Sequence, residues 1–139
     1  MVSKKRVALV TGSSSGIGSA VANAFASSGY NLVVNYSSSA ERAKETVANC
    51  RKRGSEVFSV RCDVSDESEV LKMVSICEQQ FGRLDVLVNN AGTTMNVPPN
   101  KIDEVDLDEW DRVFAINVRG VFQVSRAAKN LLKNSDNAS

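Results

Sequence analysis

VTGSSSGIG, Val10 to Gly18, places three glycines and three consecutive serines directly after the apolar run RVALV (6–10). A short, β-branched apolar run of this kind suits a strand buried on both faces. The segment that follows, SAVANAFASSG (19–29), puts Ile17, Val21, Ala24 and Phe25 at helical spacing, with Gly29 placed to end the helix. The glycine stretch is therefore a turn from strand to helix. A helix that starts there points free N–H groups and its positive dipole end outward, a natural seat for an anion. In this reading Gly12 makes the tight turn, Gly16 permits close approach of a pyrophosphate, and Gly18 lets the helix pack on the sheet. Ser14 and Ser15 add hydroxyl donors. A plain Gly/Ser turn would share this composition, and the order Gly-x-x-x-Gly-x-Gly differs from the commoner G-x-G-x-x-G. Its place after a strand and before a helix is what points to a dinucleotide.

The same rhythm continues along the chain. NLVVNY (31–36) reads as a second strand, residues 39–54 as a polar amphipathic helix closed by Gly54, and 56–64 as a third strand. Residues 65–82 read as a helix with Ser65 or Asp66 as its N-cap and Gly82 after its end. LDVLVNN (84–90) reads as a fourth strand and 106–134 as one long, mostly helical piece. Alternation of this kind predicts an α/β fold, a Rossmann-like doubly wound parallel sheet with helices on both faces, in a single unit over 1–139. The loop Thr93–Val105, which holds both prolines, is the longest irregular stretch and a candidate functional loop.

Composition bounds the function. The chain has 139 residues, 42% hydrophobic and 24% charged, the balance of an ordinary globular domain. A net charge of +1 gives no electrostatic reason to expect nucleic acid or a membrane surface as partner. There is no histidine, so neither Ser-His nor Cys-His catalysis nor a histidine metal site is expected, and no metal is assigned. Cys50, Cys62 and Cys77 are odd in number and widely spaced. They read as reduced packing residues, which with the absence of a leader-like start predicts a cytoplasmic protein.

Three further pieces join the glycine turn: CDV (62–64), NNAG (89–92) and EWDRVFAINVRGVF (109–122). Together they resemble the short-chain dehydrogenase/reductase family, from Lys5 to about Lys133. The resemblance implies an NAD(P)-dependent enzyme that passes hydride between nicotinamide and a carbonyl or alcohol carbon, in a homo-oligomer. It implies that Gly12, Ser14, Ser15, Gly16, Ile17 and Gly18 hold the pyrophosphate and that Asp63 and Val64 hold adenine. Asn90, Ala91 and Gly92 would lie beside the adenosine ribose. Asn117 would be the active-site asparagine whose backbone carbonyl orders a water in a proton relay. An NAD-preferring fold carries an acid at the end of the second strand. Here that place holds Asn35, Tyr36 and Ser37, with Arg42 close by, so NADP(H) is favoured and NAD(H) is the alternative.

The resemblance also has a gap. The family's Ser and Tyr-x-x-x-Lys have no counterpart: the only tyrosines are Tyr30 and Tyr36, and neither is followed by lysine four residues on. The chain is expected to be the cofactor-binding half of such an enzyme. The competing expectation is a catalytically inactive dinucleotide-binding module.

Overall fold

Four short strands, β1 (Val7–Val10), β2 (Asn31–Tyr36), β3 (Val57–Arg61) and β4 (Val86–Val88), pair in the order β3-β2-β1-β4, every pair parallel, in the computed structural model, which describes residues 2–139. Parallel neighbours need a crossover. Helices α1 (Gly16–Ser27), α2 (Ala40–Lys52) and α3 (Glu67–Phe81) supply the three crossovers. Because β2 and β3 lie to one side of β1 and β4 to the other, the strand order reverses between β1 and β4. That switch point is where ligands lie in open α/β sheets.

Successive strand residues face opposite ways, so β1 serves two cores at once. Val7 and Leu9 join Val33, Val60, Met73, Cys77, Phe81 and Val124 on the face covered by α3 and by α5 (Val121–Lys133). Ala8 and Val10 join Ala22, Ala26, Leu32, Val34, Ala43 and Val47 on the face covered by α1 and α2. The buried side of α1 consists of Gly18, Ala22 and Ala26, small residues at four-residue spacing that bring the helix close to the sheet. Ala24 and Ile17, placed on that apolar side by the sequence pattern, instead face solvent. The cysteines are buried as expected, and burial pushes the Cys62 and Cys77 thiols up to about 12.

The ends of several elements fall inside the sequence boundaries. The third strand stops at Arg61 rather than Val64, because beyond it side chains replace the ladder. The Cys62 carbonyl accepts from Asn35 Nδ2 at 3.1 Å and the Asp63 N–H donates to Glu69 Oε2 at 2.7 Å. Asp66 is the N-cap of α3, and Gly82 closes it in the left-handed region at φ 67°. The loop after β4 contains one 3-10 stretch, Pro99–Glu104. The long final helix is interrupted: α4 (Leu107–Phe114) passes through a π-helical turn (Ala115–Gly120) before α5 begins. Such widened turns often mark functional positions.

Asp85 is the polar joint of the sheet, 1% exposed at the entry to β4. Its Oδ2 accepts from the Val7 N–H at 2.7 Å and from Arg83 Nε at 2.9 Å. Its Oδ1 accepts from Arg83 Nη2 and from Ser135 Oγ, each at 2.6 Å. On the outer side of β4 the Ser139 N–H donates to the Asp85 carbonyl and the Ser139 carbonyl accepts from Leu87, both at 2.9 Å. Burial pushes the Asp85 carboxyl up, but the bonds from Arg83, Ser135 and Val7, with the Arg83 charge, hold it below its ordinary value. A carboxyl lowered in the folded state stabilises fully above its unfolded pKa, near 4. That stabilisation is lost as pH falls through the folded pKa. Asp85→Asn should cost about 3 kcal/mol at neutral pH and flatten the acid limb of stability against pH. Urea unfolding at a series of pH values checks both; a variant with the wild-type acid limb contradicts the assignment.

Candidate nucleotide-binding site

The glycine turn is built by mutual fit with the end of β4. Gly12 has φ +62°, and a methyl there would lie 2.9 Å from Ala91 Cα. At Gly18 a methyl would lie 2.3 Å from the Gly12 carbonyl oxygen and 2.5 Å from Asn90 Nδ2. Backbone cannot yield by such amounts, so both positions exclude any side chain. Gly18, on the buried side of α1, therefore packs directly on the turn and on Asn90 at the sheet's end. Gly16 differs: its φ is +55°, yet nothing lies within 4 Å of the space a side chain would take. The space beside Gly16 is open to a ligand.

Four polar side chains hold the turn in place. Asn90 Nδ2 donates to the Thr11 and Gly12 carbonyls, both at 3.0 Å. Thr11 Oγ1 accepts the N–H groups of Asn90 and Ala91, both at 3.0 Å, so β1 and β4 are tied where they diverge. Asn35 Oδ1 accepts the Gly12 N–H at 2.9 Å. Ser13 turns inward, its Oγ donating to the Val10 carbonyl at 2.7 Å and accepting the Asn35 N–H at 3.0 Å. The three serines thus divide: Ser13 is structural, while Ser14 and Ser15 line the cleft. Ser15 is the N-cap of α1, yet its side chain makes no capping bond and the first turn carries no acid. The first N–H groups of α1 therefore have no side-chain acceptor, the condition under which a helix N-terminus takes an anion.

The cleft beside this turn has a volume of about 440 Å³ and a mixed polar and apolar wall. It brings together Gly12, Ser14, Ser15, Asn35, Ser37, Asp63, Val64, Asn90, Ala91 and Gly92 from four separate parts of the sequence. Asp63 Oδ1 accepts from the Ser65 N–H (2.9 Å) and hydroxyl (2.7 Å), while its Oδ2 has no hydrogen-bond partner among the described residues. Val64 is buried, its side chain pressed against Gly120, where a methyl would lie 2.7 Å from Val64 Cγ2.

Ile17 and Tyr36 do not line the cleft, and Asn35 and Asn117 turn their side chains to main chain. Ile17 is 77% exposed and can serve a ligand only through its backbone. Tyr36 is half-buried, packed on the core between sheet and α1–α2, and does not line the cleft. Asn35 lines it but is only 1% exposed, its amide fully engaged with backbone, so it does not face a ribose phosphate directly. Asn117 stands on the π turn, its Oδ1 accepting from the Thr93 N–H and its Nδ2 donating to the Thr93 carbonyl, both at 2.8 Å. Its side chain thus fixes the loop leaving β4. The sequence pattern gives no place at the cleft to Ser65 or Arg112, which line it, or to Thr11, which braces the turn, and marks Thr93 only as the start of a loop. Arg112 Nη1 donates to Thr93 Oγ1 at 3.2 Å at the cleft wall. Thr11 had a signal, since it is the one hydroxyl inside the turn that sits beside NNAG once β1 and β4 pair.

A nested glycine turn, an uncapped helix N-terminus and an acid-bearing wall together make a candidate nucleotide cleft at the switch point of a Rossmann-like sheet. Residues 6–139 match the short chain dehydrogenase family, and the chain belongs to it. It is 40% identical over 132 residues to 3-oxoacyl-(acyl-carrier-protein) reductase FabG of Staphylococcus aureus, covering 94% of this chain and 52% of that protein. It is 42% identical over 123 residues to trihydroxynaphthalene reductase of Colletotrichum orbiculare, covering 88% of this chain and 43% of that protein. The chain spans about half the length of the curated relatives it matches. A short chain dehydrogenase from Burkholderia cenocepacia, solved in complex with NADP, superposes with a TM-score of 0.86 at 38% identity, over 94% of this chain and 52% of that one. No helix among the described residues is long and apolar enough to cross a membrane.

The two glycines should separate stability from binding. Gly18→Ala should lower stability by about 3 kcal/mol, since backbone must move. Gly16→Ala should cost only about 1 kcal/mol, the strain of a positive φ. Gly16→Ala should nevertheless lose most dinucleotide affinity, because its methyl enters the open space above the helix end. Thermal unfolding and NADP+ titration of both variants check this; wild-type affinity in Gly16→Ala contradicts the phosphate seat.

Proposed function

We propose that this chain is the nucleotide-binding half of an NADP(H)-dependent oxidoreductase acting on carbonyl or alcohol groups, 3-oxoacyl reduction among them. The observation that carries the proposal is the methyl-excluding nest of Gly12, Gly18 and Asn90 beside an uncapped helix end. Bound nicotinamide supplies or accepts the hydride. The chain's residues bind and orient the cofactor. The α1 N–H groups with Ser14 and Ser15 hold the pyrophosphate. Asp63 Oδ2 accepts from the adenine amine, while Ser65 fixes the other carboxylate oxygen. Asn90, Ala91 and Gly92 back the ribose. Asn117 holds Thr93 through its side chain, and its main-chain carbonyl, on the widened π turn, is the group we assign to a proton-relay water.

The preference for NADP(H) over NAD(H) rests on Ser37 and Arg42. Ser37 lines the cleft, and no acid stands between Tyr36 and Ser39 to repel a 2′-phosphate. Arg42 is exposed in the first turn of α2, where the helix dipole disfavours a cation, and among the described residues it makes no ion pair. An anionic ligand would offset that cost. The NADP-bound relative and the reductases named above support the same reading. Ser37→Asp and Arg42→Ala should each weaken NADP+ by about tenfold and leave NAD+ within about twofold. Isothermal titration with both nucleotides checks it; an unmoved NADP+/NAD+ ratio places the 2′-phosphate elsewhere.

We further propose a cytoplasmic, homo-oligomeric parent without a nucleic-acid or membrane partner. Trp110, Phe114, Val118 and Phe122 form an exposed apolar stripe along α4 and α5, which supports self-association. The chain by itself should show no turnover. Tyr30 packs edge-on against Phe25 at 5.0 Å, at the opposite end of the strands from the cleft, and Tyr36 is held in the core. Among the described residues no phenol stands near Asn117 to act as general acid. Sustained NADPH oxidation coupled to alcohol product, with the 139-residue chain and a panel of ketones, would contradict this. The same lack of a phenol favours, as second reading, an inactive dinucleotide-binding module. The transcript beyond Ser139 separates the two: a strand, a Ser and a Tyr-x-x-x-Lys belong to the enzyme.

A further inference from the structure

We propose that Asn35 is the positioning residue of the cleft: its buried carboxamide sets the separation between the phosphate turn and the adenine wall, and so governs nucleotide affinity through backbone geometry. The inference rests on the dinucleotide reading above and deepens it. Asn35 is gripped from both sides. Toward the turn, its Oδ1 accepts the Gly12 N–H at 2.9 Å, its N–H donates to Ser13 Oγ at 3.0 Å, and its carbonyl accepts the Ser13 N–H at 2.8 Å. Toward β3, its Nδ2 lies 3.1 Å from the Cys62 carbonyl and 3.3 Å from that of Val60, with its neighbour's Tyr36 carbonyl at 3.4 Å.

Those two sides carry the two halves of the site. Gly12 opens the turn that seats the pyrophosphate, and Cys62 immediately precedes Asp63 and Val64. Among the described residues this side chain alone, 1% exposed, spans them by hydrogen bonds at this level of the sheet. The job needs an acceptor on one arm and a donor on the other, at the length of asparagine. Leucine offers neither, aspartate lacks the donor, and glutamine is too long for a buried slot with no unpaired polar atom. The Gly12 N–H is also withdrawn from the ligand by this bond, so the phosphate contacts must come from Ser14 onward.

Asn35→Asp gives a readout that loss of stability alone would not. Ionised, the new carboxylate still accepts from Gly12 but sets its second oxygen against the Cys62, Val60 and Tyr36 carbonyls. Protonated, it restores one donor. Cys62 and Asp63, just after β3, line the cleft with it, and Glu69 from α3 holds the Asp63 N–H; Tyr36 and Arg61, paired at the next level, belong to the other face of the sheet by alternation, and the turn contributes no charge. Carbonyl oxygens and the Asp63 charge both favour the neutral form, and exposed Arg61 is already paired with Glu69 at 3.1 Å. The new carboxyl should therefore titrate above its ordinary value.

The test is NADP+ titration of wild type and Asn35→Asp across pH, each affinity taken as a ratio to wild type at the same pH so that the ligand phosphate's own titration cancels. The variant should bind about tenfold more weakly at about pH 8 and approach wild type by about pH 5.5. A ratio that stays flat with pH, or wild-type affinity in a merely destabilised variant, overturns the inference. Wild-type chain that binds no NADP+ overturns the nucleotide reading itself and this inference with it, a failure visible before any variant is made. Should the variant not fold, amide exchange on the wild type decides. The Gly12 N–H should be protected in the free chain, and its signal should move less than those of Gly16 to Gly18 when NADP+ is added. An unprotected Gly12, or one that moves most, overturns the assignment.

Discussion

At Gly18, Gly12 and Asn90 three pieces of chain meet with no room for a single methyl group. A side-chain carbon at Gly18 would lie 2.3 Å from the Gly12 carbonyl. The rest of the site depends on this approach. It fixes where α1 begins, hence where its unpaired N–H groups point. It also brings NNAG from the end of β4 against the turn that leaves β1, so the switch point of the sheet becomes a cleft rather than a gap. Asn90 and Thr11 hold the two together by four hydrogen bonds at 3.0 Å: Asn90 Nδ2 donates to two carbonyls, and Thr11 Oγ1 accepts from two main-chain N–H groups. Polar groups inside a fold must be paired, and here pairing them and shaping the site are the same act.

The opposite rim is built on the same principle. β3 ends where Asn35 and Glu69 take over its backbone groups, and the freed segment Cys62–Val64 carries Asp63 into the cleft. Gly120 lets α5 press on Val64, so the helix after the π turn supports the same wall. Asn117 performs the corresponding task for the loop after β4 by pairing both polar groups of the Thr93 peptide. Four asparagine and threonine side chains, distant in sequence, thus act on main chain rather than on ligand.

Much of this is legible in the sequence. The alternation of apolar runs with amphipathic segments points to the parallel sheet, because a strand buried on both faces needs a helical layer above it and another below. The glycine spacing marks the turn, and CDV and NNAG fall at the strand ends where the cleft lies. The direction of side chains at those ends is not legible. Sequence position turns Asn35 toward a ribose, yet it faces backbone, since an amide at the last buried position of β2 has unpaired main chain on both sides. Tyr36 follows the strand's alternation into the α1–α2 core, leaving Ser37 at the cleft. Ile17 keeps helical spacing but lies beyond the reach of the core, on the exposed end of α1. The π turn is hidden because its residues, AINVRG, have no helix breaker before Gly120; the widening accompanies a tertiary bond, Asn117 to Thr93, that local propensity does not report.

The central claim is that backbone N–H groups at the start of α1 are the phosphate seat of a dinucleotide cleft. A crystal structure of the chain grown with NADP+ tests it most directly. The account predicts pyrophosphate oxygens within hydrogen-bond distance of the Gly16 to Gly18 amides and the Ser14 or Ser15 hydroxyl, with the Gly12 to Asn35 bond unchanged and adenine against Asp63. A nucleotide seated elsewhere, or a turn that rearranges to bring the Gly12 N–H onto phosphate, would contradict it.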